Sequence, residues 1–118
     1  MSPARRSAAI DRHFQDRDPS VVATYDALLA AVRQLGPVTE EPKKTSIHLV
    51  RRFALAGVAT QKHALLLTLK SDTPVSSARI RKQEQTSAHR WHLEIRLTQP
   101  SDVDAELYRW LAAAYALA

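Results

Sequence analysis

The residues of this chain whose types could do chemistry are its histidines, its acids and above all its cations. His89 and His92 form the one close histidine pair. On an extended strand, positions three apart point to opposite faces, and no carboxylate is spaced to complete a ligand set. Surface histidines are therefore expected, and no metal site. Serines stand at 71, 76, 77, 87 and 101, yet none lies in the strained elbow that exposes a nucleophile. Two glycines, Gly36 and Gly57, are too few for a phosphate-cradling loop. Nucleotide cofactors held that way are excluded, and no cofactor is expected. Glu40 and Glu41 before Lys43 bear a weak likeness to a nuclease signature, but they flank Pro42 in a connector without a paired upstream acid. With no cysteine, disulfides, thiolate zinc sites and cysteine nucleophiles are ruled out together. No residue is assigned a catalytic role.

The cations make the stronger constellation. Lys43 and Lys44 lead into the first strong strand pattern, Arg51 and Arg52 end it, and Lys70 ends the third. His92 and Arg96 alternate onto the wet face of the last strand, after Arg79, Arg81, Lys82 and Arg90. Were these strands neighbours, Lys43, Lys44, Arg51, Lys70, Arg79, Lys82, His92 and Arg96 would form a candidate site for a phosphate, a carboxylate or a nucleic-acid backbone. The competing reading is a solvated face whose charges block edge-to-edge association. Trp91 and Trp110 are in phase with apolar stripes, which assigns them to the core before any ring-stacking role.

The elements that must position these residues follow from periodicity. Ile10 and Phe14, four apart, suggest a short helix, and residues 1–8 are expected to be flexible. Asp18-Pro19 marks a helix start, and Val21, Val22, Tyr25, Leu28, Leu29, Val32 and Leu35 keep helical spacing up to Gly36-Pro37. After the polar connector TEEPKK the period becomes two. TSIHLVRR, FALAGVA, HALLLTLK and WHLEIRLT read as about four strands, with Leu65, Leu67, Leu69, Leu93, Ile95 and Leu97 facing inward. Residues 71–90 read as a long polar loop, whose second half could form a polar helical turn or, anchored by Ile80, a short edge strand. Ser101 is placed to cap a last helix whose stripe is Val103, Leu107, Trp110, Leu111, Ala114 and Tyr115. Helices before and after an unbroken set of strands predict an α+β fold with both helices on one face of an antiparallel sheet.

At 118 residues the chain has the length of one domain, 1–118, able to bury a core without staples. The longest apolar run, Trp110 to Ala118, is too short for a membrane helix, and the polar start does not suit a signal peptide. No membrane partner is expected, and a cysteine-free chain suits the reducing cytoplasm. The net charge of +5 is concentrated in residues 40–98, which hold eleven Lys/Arg against five Asp/Glu.

The runs EEPKKTSIHLVRR, LLLTLKSD and RWHLEIRL, followed by a Pro-Ser-Asp helix start and AAYAL, resemble a bacterial family of small domains known only as a domain of unknown function. The likeness spans about Phe14 to Leu117. It implies an accessory or binding role and supplies no catalytic residue. Three readings stand at this point. The first is a non-enzymatic module that uses a basic sheet face for an anionic ligand or nucleic acid. The second is a small enzyme acting on an anionic metabolite, with His48 or His92 as general base. The third is a self-associating homodimer, in which a second copy covers the sheet face bearing Val50 and Leu66.

Overall fold

The computed structural model describes residues 7–118. The flexibility expected of residues 1–8 falls, for residues 1–6, outside the described residues. Ser7 caps a short helix, α1 (Ala8–Asp11), its hydroxyl accepting from the Ile10 amide at 3.2 Å. A 3-10 turn over Arg12–Phe14 continues it. Ile10 is buried, and the Phe14 ring lies 5.1 Å from that of Tyr25, so this segment docks by its apolar side.

Helix α2 (Pro19–Leu35) begins where expected, because proline at the first turn gives up no hydrogen bond. Asp18 does not cap it by side chain; its carboxylate is drawn to His63 in the loop after β3. Val21, Tyr25, Leu28, Leu29 and Val32 are buried along one stripe. Gly36 ends the helix at φ +152°, and the Tyr115 hydroxyl, donating to the Pro37 carbonyl at 2.9 Å, occupies the space that any Cβ there would need.

The sheet comprises β1 (Thr39–Pro42), β2 (Ile47–Val50), β3 (Ala54–Thr60), β4 (Leu65–Ser71), β5 (Ile80–Ser87) and β6 (Arg90–Leu97). Its spatial order is β1-β2-β3-β4-β6-β5, antiparallel throughout. The fold is thus α+β with an antiparallel sheet, as expected, but with six strands and not about four. The two additional strands are the edges. β1 lies in what reads as a polar connector, and β5 lies within the supposed loop 71–90. An edge strand needs one partner and buries little, so hydrogen bonding can hold it without apolar alternation. β5 is exposed along nearly its whole length, which is why its sequence IRKQEQTS hides it.

Leu65, Leu67, Leu69, Leu93, Ile95 and Leu97 pack against Leu28, Val32, Leu107 and Leu111 in one core. Each fully buried leucine of this kind stabilises by about 1.5–3 kcal/mol. Residues 72–79 cross from β4 to β5 on this same helix-covered side, since Arg79 donates to the Asp102 carbonyl at 2.7 Å and to Asp104 at 2.9 Å. The last helix starts later than expected. Pro100–Asp102 is a 3-10 turn, and α3 (Ala105–Leu117) is capped by Asp104, which accepts from the Leu107 amide at 3.0 Å, and not by Ser101. Among the described residues no helix is long and apolar enough to cross a membrane.

Candidate binding site on the open sheet face

Both long helices and the 72–79 crossover lie on one side, which leaves the other side of the sheet uncovered by any described element. Its residues follow from the strand alternation. Glu41, His48, Gly57, Thr68, Glu94 and Lys82 pair successively across all six strands. Beside this row run Ala59, Leu66 and Arg96, and on the other side Lys70, His92 and Glu84.

The face is not flat. β3 presents Ala54, Gly57 and Ala59 between the larger residues of β2 and β4 and forms the floor of a trough. The trough has a volume of about 320 Å³, with His48 and Ser46 on one wall and Leu66, Thr68, Lys70 and His92 on the other. A bulge assists: Leu49 pairs with Ala56 and Val50 with Ala54, so Leu55 is the extra residue and packs fully buried. At Gly57 an added Cβ would meet nothing closer than the His48 ring at 3.8 Å. The glycine is therefore not demanded by crowding; its missing side chain opens the trough.

The charges around this trough are unequal. Glu84 is close to Lys82 at 3.7 Å, which offsets the nearest acid to His92. Lys70 is half-buried on the rim and has no ion-pair partner among the described residues. The Lys70–His92 end is thus a cationic corner beside an apolar floor. Neither His48 nor His92 is hydrogen-bonded to a carboxylate among the described residues. No group of three metal-ligating side chains occurs among the described residues, and His89 lies in the β5–β6 turn, away from the wall that holds His92.

The eight cations singled out by sequence do not assemble into one site. Lys70 and His92 come together at the trough, and Arg96 is exposed on the same face outside it. Lys82 faces Glu84 and Glu94. Lys43 lies 3.4 Å from Glu41, and with Lys44 it belongs to the β1–β2 hairpin. Two arginines are held on the helix-covered side. Arg51 stacks 4.4 Å over the Tyr115 ring and donates to the Tyr115 carbonyl at 3.0 Å. Arg79 lies 5.7 Å over Trp110 and binds both Asp104 and Glu106. Its burial disfavours the charge, but the bonds to Asp104 and Glu106 outweigh that and raise its pKa. Arg51 and Arg79 are drawn to the two ends of α3 by the Tyr115 and Asp102 carbonyls and the Asp104 and Glu106 carboxylates. Glu40, the first of the two acids before Lys43, accepts from the Tyr25 hydroxyl at 2.6 Å.

Sequence reasoning missed the floor. The signal was present in FALAGVA, where alternate positions 57 and 59 are small and a glycine sits inside a strand, a mark of close approach by something else. No curated protein and no solved structure matches the chain. A family model matches residues 10–118, and the chain belongs to that family, described as a domain of unknown function (DUF5655).

Proposed function

We propose that this protein is a binding module whose open sheet face takes a small anion with an apolar body, such as an aryl or alkyl carboxylate or phosphate. The observation that carries this reading is the trough itself: an apolar floor made by Ala54, Gly57 and Ala59, with unpaired Lys70 and His92 at one corner. Its volume of about 320 Å³ is at the small end of ligand sites, which suits a single ring or short chain. A half-buried lysine beside apolar surface meets an anion in a lower effective dielectric than bulk water, which strengthens the contact. The enzymatic alternative lacks support at the point it most needs, since a general base must be oriented and neither trough histidine has a carboxylate holding it. A second reading, cover by another copy of the chain, draws on Val50 and Leu66, which are half-buried on this face.

Calorimetry with phenylacetate and its uncharged counterpart phenylacetamide tests the proposal. Phenylacetate is expected to bind more tightly, and Lys70→Gln to abolish the difference between the two. Equal binding of both compounds by the parent, or none, would overturn it. Sedimentation showing a dimer that excludes phenylacetate would establish the second reading instead.

A further inference from the structure

The structure holds a second concentration of cations, separate from the trough and independent of its function. The α1 segment is fixed by three contacts: buried Ile10, the Phe14–Tyr25 ring contact, and the Thr60 hydroxyl donating to the His13 carbonyl. Anchored this way, it turns Arg12 and His13 toward the β1–β2 hairpin. That hairpin is closed by the Lys43 amide donating to the Ser46 carbonyl at 2.7 Å. Between the two lies a hollow of about 400 Å³ lined by Ala9, Arg12, His13, Pro42, Lys43 and Lys44.

Among the described residues Arg12 and Lys44 have no ion-pair partner, and the His13 ring has none. Only Lys43 meets an acid, Glu41 at 3.4 Å. Three permanent cations less that one carboxylate leave two positive charges facing one small space, apart from any charge on His13. Like charges gathered this closely repel one another unless an anion joins them. A phosphate monoester carries roughly 1.5 to 2 negative charges near neutral pH and several strong acceptor oxygens, which matches that surplus. Among the described residues no Phe, Tyr or Trp ring lines the hollow, and the nearby Phe14 ring is turned inward onto Tyr25, so a nucleobase would find no large aromatic platform there.

We infer that the hollow between the N-terminal helical turn and the β1–β2 hairpin is a phosphate site, held by Arg12, His13, Lys43 and Lys44 and suited to the phosphate of a small molecule. Heteronuclear NMR titration with pyrophosphate and with glycerol phosphate, and separately with a short oligothymidylate, tests it. Saturable shifts confined to the amides of Ala9, Arg12, His13, Lys43 and Lys44 are expected for the two small ligands. Lys44→Glu should raise the dissociation constant by about tenfold or more, the loss of a charge-assisted contact. Arg109→Glu, an equal charge change at an exposed position on α3, should leave it unaltered. An unchanged melting curve for Lys44→Glu would show that the fold is intact. Equal weakening by both variants, or shifts scattered over all surface cations, would overturn the site. Binding of the oligothymidylate at least as tight as that of pyrophosphate would overturn the small-molecule source.

Discussion

The two faces of β4 are built from one stretch of chain, Leu65–Ser71, yet they live in different environments. Leu65, Leu67 and Leu69 are wholly buried under α2 and α3, while Leu66, Thr68 and Lys70 are half-buried on a face with nothing over it. The covered face is fixed by volume, since every atom there has neighbours on all sides. The open face is fixed by what is missing, the side chain of Gly57 and the bulk of Ala54 and Ala59. Stability is concentrated on the first face, and the proposed binding site lies on the second.

The sharpest way to break this comparison is to shorten one leucine on each face. Leu67→Ala should cost about 2–5 kcal/mol through lost burial and a cavity. Leu66→Ala, one residue away, should cost less, about 1–2 kcal/mol, because its side chain keeps part of its exposure and its loss leaves no enclosed cavity. Denaturant midpoints of the two variants check this, and equal losses would mean that the faces are not distinct.

Next in size is the junction that seats α2 against α3. Gly36→Ala must hold a left-handed φ of +152° and displace the Tyr115 hydroxyl from the Pro37 carbonyl. A loss of about 1–3 kcal/mol in chemical denaturation is expected. A cost near zero would show that Tyr115 moves freely.

A smaller effect tests the helix-covered edge, where Arg79 clamps the crossover to the start of α3. The Leu107 amide, and after it Arg79, holds the Asp104 carboxyl below its ordinary value. At Asp102 burial pushes the other way, but the amide and hydroxyl of Thr98, with Gln99, outweigh it and the pKa is also lowered. A folded-state pKa below the unfolded one means stability that is present above the ordinary aspartate value of 3.8. That stability is lost as pH falls through the lower folded values. The half-exposed Asp104 limits its share to about 1 kcal/mol or less. Asp104→Asn should therefore be weaker than the parent near neutrality and converge with it in acid. A constant gap in urea midpoint across that range would contradict the assignment.

How much of this was legible in sequence follows the same division. Where side chains are buried, they imposed their period. The inward leucines of β4 and β6 and the stripes of α2 and α3 are read correctly from alternation and 3-4 spacing. Where hydrogen bonding alone holds the chain, no period exists to read. β1 therefore reads as a connector, and β5, with Gln83 and Gln85 opposite Leu93 and Trp91, reads as a loop. The same holds for the candidate site. Lys70 and His92 were legible as cations in phase with strands. Which arginines would be diverted depended on the long-range contacts of Arg51 with Tyr115 and Arg79 with Asp104, to which no local pattern points. The family relationship covers residues 10–118 and extends the fold reading, but it leaves function to the geometry.

The most direct test of the central claim fills the trough without touching the core. Gly57→Leu places a side chain on the open face, where the first added carbon meets only the His48 ring at ordinary contact distance. A melting temperature equal to or above that of the parent is expected, since strand glycine is itself unfavourable. Saturable NMR shifts at Gly57, Thr68 and Lys70 are expected on adding phenylacetate to the parent, and their loss is expected in the variant. A stable Gly57→Leu variant that still binds phenylacetate as tightly as the parent would contradict it.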